Sequence, residues 1–81
     1  MKAIKTFTGP FDKSSWRKIR NQVVGMFNTS TEVDKECYTF LVRATTNKGK
    51  IKDSWVYMPK VNVELVDKVE IYKIKQEITV L

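Results

Sequence analysis

One segment of this chain repeats its apolar residues with the period of a helix, and this restricts the possible folds more than any other feature. The stripe is formed by Trp16, Ile19, Val23, Met26 and Phe27, at positions i, i+3, i+7, i+10 and i+11. Such spacing is that of one face of an α-helix. A helix is therefore predicted from about Lys13 to Phe27, with Asp12 or Ser14 as its N-cap.

The residues around the end of this stripe indicate how the helix stops. Asn28-Thr29-Ser30-Thr31 favour caps and turns, because their side chains compete for backbone hydrogen bonds. Gly25 lies inside the predicted helix, where glycine carries a small cost. We expect it to allow a close contact between the helix and a sheet.

Strand-like alternation of polar and apolar residues flanks the helix on both sides. The alternating segments are Ala3 to Thr8, Tyr38 to Thr45, Ile51 to Met58, Val61 to Leu65, and Val69 to Val80 as one long strand or two short ones. Short turns between consecutive strands favour antiparallel pairing. The chain is predicted to be a single α+β domain, residues 1–81, with one amphipathic helix packed on a mainly antiparallel sheet of four to five strands, in the order β-α-β-β-β-(β).

The hairpin around Asn47-Lys48-Gly49-Lys50 admits two registers. A loop of two or four residues pairs Val42 with Trp55 and gathers large apolar side chains on one face. A loop of three residues instead pairs Arg43 with Asp53. Since a slip of one residue moves every side chain to the other face, the two registers exclude each other. We expect the even loop, because it buries more apolar surface on one face.

Composition removes several classes of functional site. The 81 residues include no histidine and one cysteine, which excludes a Ser-His-Asp or Cys-His nucleophile, a His-Cys zinc site and a disulfide within the chain. Glu32, Asp34 and Glu36 alternate, but no glycine-containing calcium loop surrounds them, so a solvated loop is expected there. We expect no enzyme activity, no catalytic residue, no metal and no cofactor.

The apolar residues also bear on location. The first residues, Met1-Lys2-Ala3-Ile4-Lys5-Thr6, lack the continuous apolar run of a signal peptide. No stretch approaches the roughly 18 apolar residues of a membrane-spanning helix, so no membrane partner is expected. The lone Cys37 is typical of a reducing compartment. The predicted location is cytoplasmic.

The aromatic residues are expected mostly in the core, because a chain this short needs large side chains to build one. Trp16 lies on the helical stripe and Trp55 on an alternating strand, so both are predicted to be buried. Tyr57 and Tyr72 have polar tips and could instead stack on nucleic-acid bases at a sheet surface.

Two groups of cations are the candidate binding residues. One group lies on the predicted helix and the other around the hairpin turn, and together they are Lys13, Arg17, Lys18, Arg20, Arg43, Lys48, Lys50 and Lys52. No acidic residue occurs from Lys13 to Phe27, so no i to i+4 partner neutralises the helical group. Such side chains bind phosphate oxygens. The structural alternatives are a solvated helix face, and lysines that protect exposed strand ends from edge-to-edge pairing.

Fifteen Lys and Arg against nine Asp and Glu give a net charge of +6, and three functions remain open. The first is a small, basic, non-enzymatic nucleic-acid-binding module that contacts mainly the phosphate backbone of DNA or RNA. It requires both groups of cations to share one face. The second is a protein-interaction module bound to an acidic protein surface, an inhibitor or modulator of a larger complex such as a phage or mobile-element accessory protein.

The third function is a metal-independent, RelE-like ribonuclease, which would position RNA with Lys, Arg and Tyr alone. The paired N-terminal helices usual in such toxins are not visible in this sequence. A homodimer is a separate expectation. If the last apolar strand lies at a sheet edge, it can pair with a second copy of the chain.

Overall fold

The computed structural model describes residues 2–75, which form an α+β domain. The elements are β1 (Lys5–Thr8), α1 (Lys13–Asn28), α2 (Glu32–Cys37), β2 (Tyr38–Thr46), β3 (Ile51–Trp55), a 3₁₀ turn (Val63–Leu65) and β4 (Val66–Lys75). Within this range the four strands form one antiparallel sheet in the order β1-β4-β2-β3. The predicted fold class is confirmed. The predicted strand residues after Lys75 lie outside the described range.

Helix α1 begins where its cap residues predict. The Asp12 carboxylate accepts a hydrogen bond from the Ser15 amide at 2.8 Å, and the Ser15 hydroxyl accepts one from the Asp12 amide at 2.8 Å. This reciprocal pair occupies amides that the helix itself leaves without partners, and it lowers the pKa of Asp12. Asp12 is the N-cap, and the predicted helix is confirmed to within one residue.

Helix α1 covers one face of the sheet, and the core lies between them. We call this the covered face. Its buried side chains, with those of the helix and of the adjoining loops, are Phe11, Ile19, Val23, Phe40, Val42, Ala44, Val66, Val69 and Ile71. The expected contact through Gly25 is wrong, because a Cβ placed there would meet nothing within 4 Å. Gly25 therefore does not permit a close approach to the sheet.

We call the opposite face of the sheet the outer face. The β2–β3 hairpin has the register that we did not expect, and this decides which of its side chains lie on the outer face. Arg43 pairs with Asp53 and Leu41 with Trp55, so the expected even loop is wrong. The Thr46 amide donates to the Lys50 carbonyl at 2.8 Å, which closes a loop of three residues, 47–49. Gly49 supplies the left-handed conformation (φ +78°) that such a loop requires.

Two further expectations about local structure are wrong. The alternating segment 61–65 is not a strand: Val61 and Val63 pack against the core while the chain crosses from β3 at the sheet edge to β4 in its interior. The acidic residues expected in a loop form the short helix α2. Its N-cap Thr31 accepts a hydrogen bond from the Asp34 amide at 3.1 Å, and carboxylates in a first turn favour a helix.

The C-terminal strand lies in the interior of the sheet over only part of its length. β4 lies between β1 and β2: its residues 66–75 pair with β2, but only residues 68–71 also pair with β1, so residues 72–75 have a neighbouring strand on one side. A dimer through the C-terminal strand is therefore not possible at residues 68–71, and at residues 72–75 it stays a prediction. Among the described residues, β1 and β3 are the outer strands of the sheet.

Candidate nucleic-acid interface

The segment that joins β3 to β4 lies between helix α1 and the β2–β3 hairpin, with a groove on each side. The α1 groove, about 610 Å³, is lined by Trp16, Arg20, Tyr57 and Lys60 among others. The hairpin groove, about 510 Å³, is lined by Lys50, Lys52 and Lys60 together with Ile51 and Leu65. Lys60 and Val61 line both grooves. The connecting segment thus lies between one helical cation, Arg20, and the hairpin cations Lys50 and Lys52.

Local structure explains why these cations point into the grooves. Trp16, Arg20 and Val24 follow one another at a spacing of four, so they lie along the edge of α1 that borders the connecting segment. Lys52 pairs with the buried Ala44, and its side chain therefore leaves the sheet on the covered side, beyond the end of the core. Lys50 closes the hairpin loop beside it.

The cations of the two grooves are not neutralised within the described range. The ion pairs found among residues 2–75 are Arg43–Asp53, Lys68–Glu70 and Lys73–Asp34. Arg20, Lys50, Lys52 and Lys60 take part in none of them. Four positive charges without a carboxylate partner therefore surround one stretch of chain, which is the electrostatic pattern of an anion-binding surface.

Arg43 is placed elsewhere. On the outer face, its guanidinium donates to both Asp53 oxygens, at 2.8 and 3.0 Å. This bond lowers the pKa of Asp53 and raises that of Arg43. The guanidinium also lies 5.6 Å from the centre of the Tyr72 ring. The structure therefore separates Arg43 from the hairpin lysines with which its sequence position grouped it.

The other predicted cations are spread around this surface. Lys13 lines a cleft at the start of α1, beside Asn62 and Glu64. Lys18 faces the opposite side of α1 and lines a cleft beside β1. Arg17 and Lys48 are exposed, on the helix and at the hairpin tip respectively. Of the eight predicted residues, the structure brings Arg20, Lys50 and Lys52 together.

Lys60 was missed by the sequence reasoning, although it links the two groups. It directly follows Pro59, which ends the predicted strand, and it stands alone among apolar residues. No periodic pattern marks it. The usable signal is the position itself, because a cation in the connection after a hairpin can lie beside the hairpin's own lysines.

The predictions for the aromatic residues have different outcomes. Trp16 is half-buried and meets Phe11 edge to face, with ring centres 6.0 Å apart, so its place against the core is confirmed. Trp55 is 53% exposed on the outer face, and the prediction that it is buried is wrong because the hairpin takes the other register. Tyr57 is 73% exposed in the α1 groove.

Three further findings concern the chemistry available. Among the described residues no group of three His, Cys, Asp or Glu is placed to hold a metal ion. Over the same range no helix is both long enough and apolar enough to cross a membrane. Comparison of the chain with protein-family models, with curated proteins and with solved structures gives no match. We therefore infer a function from the geometry of the two grooves.

Proposed function

We propose that this protein is a small, non-enzymatic nucleic-acid-binding module that contacts mainly the phosphate backbone. The proposal is carried by two adjoining grooves that share Lys60: Arg20 lines one, Lys50 and Lys52 line the other, and none of these cations has a carboxylate partner in the described range. Phosphates bound along these grooves would release condensed counterions, which favours binding and makes it steeply dependent on salt.

A protein-interaction module is the second candidate, and one observation favours it. Ile51 and Leu65 are exposed and line the hairpin groove beside its lysines. An acidic protein segment with an apolar side chain would use both kinds of contact, whereas a phosphate backbone uses only the lysines. Capture of a partner from nuclease-treated lysate by the wild-type protein, but not by an Ile51→Ser, Leu65→Ser variant, would favour this candidate.

The ribonuclease alternative has less support. Such an enzyme would position RNA with Lys, Arg and Tyr side chains, and loss of cleavage in Arg43→Ala or Tyr57→Ala would be needed to support it. Arg43 is held by Asp53 on the outer face, while Tyr57 lines the α1 groove on the helix side. A general acid–base pair needs both groups within hydrogen-bond reach of the same reacting atoms.

The proposed function is tested with two triple variants of equal charge. The groove variant is Arg20→Gln, Lys52→Gln, Lys60→Gln, and the ion-pair variant is Arg43→Gln, Lys68→Gln, Lys73→Gln. Each lowers the net charge from +6 to +3, since three cations are removed. Affinity for a labelled duplex oligonucleotide is measured by fluorescence anisotropy between 50 and 200 mM salt, with thermal melting as the check on folding.

The groove variant is expected to lose at least about tenfold in affinity, and its salt slope should fall by about 2.7, since each phosphate contact contributes about 0.9. The ion-pair variant should keep most of the wild-type slope. Equal losses in both variants would show that net charge alone matters. Wild-type affinity that does not weaken as salt rises would overturn the proposal.

A further inference from the structure

Tyr57 is placed in the α1 groove by an unusual backbone conformation. In a regular strand, residues 55 and 57 point to the same face. Here the intervening Val56 has φ +67°, a conformation in which a β-branched side chain is strained. Its amide still donates to the Phe40 carbonyl at 2.8 Å, as the last bond of the hairpin. The chain therefore leaves the sheet at Val56, with Trp55 on the outer face and Tyr57 on the helix side.

The surroundings of Tyr57 combine a free aromatic ring with free cations. The ring is the most exposed of the large hydrophobic side chains described, and it lines the α1 groove together with Arg20 and Lys60. Neither of these cations has a carboxylate partner among residues 2–75. A ring open to solvent in one groove with two such charges is the arrangement by which proteins bind single strands: bases stack on the ring while the cations contact the backbone.

We infer that the α1 groove binds single-stranded nucleic acid, with one base stacked on Tyr57 and the adjacent phosphates on Arg20 and Lys60. This inference rests on the proposed function and specifies its substrate. Every base has a face that can stack, so little sequence preference is expected. In a duplex the base faces are covered by their neighbours, and only the phosphates and base edges remain for the protein to contact.

The other two candidate rings do not offer this arrangement. Tyr72 is 9% exposed, and its hydroxyl donates to Glu70 at 2.7 Å. Trp55 is 53% exposed, but it lies on the outer face two residues along β3 from Asp53, which forms an ion pair with Arg43. Trp55 is therefore a matched control: an exposed ring on a face where the cation Arg43 is held by Asp53.

The experiment measures the affinity of the wild-type protein and four variants for three labelled probes. The variants are Tyr57→Ala, Tyr57→Phe, Trp55→Ala and the double variant Arg20→Gln, Lys60→Gln. The probes are oligothymidylate, an abasic oligonucleotide of the same length and a duplex of the same length. Oligouridylate is added as an RNA arm, and stacking on either single strand supports the inference.

Tyr57→Ala should bind oligothymidylate about 5- to 150-fold more weakly, which is the size of one base stacking on an aromatic ring. Its salt slope and its affinity for the duplex should be unchanged. Tyr57→Phe and Trp55→Ala should resemble the wild type. On the abasic probe, the wild type and Tyr57→Ala should bind equally. Since Tyr57 is 73% exposed, its removal leaves the core intact, and thermal melting checks this.

Failure of the inference can be told apart from failure of the proposed function. If Tyr57→Ala binds oligothymidylate as the wild type does, while the double variant loses affinity for strand and duplex alike, the phosphate contacts stand and the stacking site is wrong. Equal losses from Tyr57→Ala and Trp55→Ala also overturn the stacking site. If the wild type binds none of the probes, both proposals fail.

Discussion

The two sides of the sheet arrange similar charges in opposite ways. On the outer face, Arg43 lies between Asp53 on one neighbouring strand and Glu70 on the other, and Lys68 pairs with Glu70 at 3.5 Å. On the helix side, Lys52 and Lys60 have no carboxylate partner within residues 2–75. The net charge of +6 therefore describes neither side well. One side is close to neutral and the other is strongly basic.

The difference has a structural origin. Charges on the outer face stand on adjacent strands, where side chains directly opposite each other are within reach and opposite charges stabilise the pairing. The groove cations come from three separate segments: a helix without acidic residues, a hairpin and the connection after it. No register aligns these segments with carboxylates. On the outer face the strands neutralise one another's charges, whereas the junction around Lys60 leaves its cations without a carboxylate partner within residues 2–75.

The largest expected effect compares the packing of the two faces. Ile71 on β4 is fully buried on the covered face, beneath the helix. Leu41 on β2 is buried on the outer face, outside the core that the helix covers. Ile71→Ala should lower the free energy of unfolding by about 3–4 kcal/mol, because the core beneath the helix cannot collapse into the new cavity. Leu41→Ala should lower it by about 2 kcal/mol, because no helix within residues 2–75 packs over the outer face and the cavity there is less enclosed. Urea denaturation measures both. Equal losses would mean that the outer face is as tightly closed as the covered one.

Much of the fold follows from sequence pattern. The helix is predicted from Lys13 to Phe27 and found from Lys13 to Asn28, because its apolar stripe and its cap indicate the same element. The hairpin register could not be predicted in the same way. Counting buried apolar area favours the even loop. That count omits the Arg43–Asp53 pair and the left-handed residue Gly49, which together accompany the three-residue loop.

The candidate site is less predictable, because it depends on contacts between distant segments. The sequence identifies Arg20, Lys50 and Lys52 as cations, but it cannot show that the connection through Lys60 lies between them. The position of Tyr57 is a second case. Alternation assigns it to the face of Trp55, and only the positive φ of Val56 moves it to the helix side. The residue type gives no signal of this conformation, because valine rarely adopts a positive φ.

The next largest effect on stability is expected from removing the Arg43–Asp53 ion pair on the outer face. The side chains of Arg43 and Asp53 are 34% and 38% exposed, so solvent screens their attraction. Asp53→Asn should cost about 0.5–1 kcal/mol of stability at pH 7, the range of a well-formed exposed pair. The Arg43 bond lowers the pKa of Asp53 in the folded state. The pair's contribution is therefore present above the unfolded pKa of about 3.9 and is lost as pH falls through the lower folded value.

Urea denaturation of the wild type and Asp53→Asn at pH 7 and at about pH 2 measures this contribution. The two curves should differ at neutral pH and approach each other in acid, where the carboxyl is protonated. A difference that persists unchanged at low pH would show that the bond to Arg43 is not the cause.

A smaller effect on binding distinguishes a carboxylate near the grooves from one on the outer face, at the same net charge. Asp53→Asn and Glu64→Gln each raise the net charge from +6 to +7, since each removes one carboxylate. Glu64 lies beside Asn62, which lines the hairpin groove, whereas Asp53 lies on the outer face. At 0.15 M salt, charges act over about 8 Å. Glu64→Gln should therefore tighten oligonucleotide binding by about threefold, and Asp53→Asn should change it little. Equal tightening in an anisotropy titration would remove the distinction between the two sides.

The smallest effect changes stability without touching either charged surface. Gly25 lies in α1, where an added Cβ meets nothing within 4 Å, and its carbonyl accepts bonds from the Thr29 amide and hydroxyl at 3.0 and 2.8 Å. Gly25→Ala should raise the free energy of unfolding by about 0.5 kcal/mol, because alanine loses less backbone freedom on folding. Oligonucleotide affinity should not change. If binding weakens although the thermal midpoint rises, the α1 groove needs flexibility near the end of the helix. The contrast between the two sides would then involve mobility as well as charge.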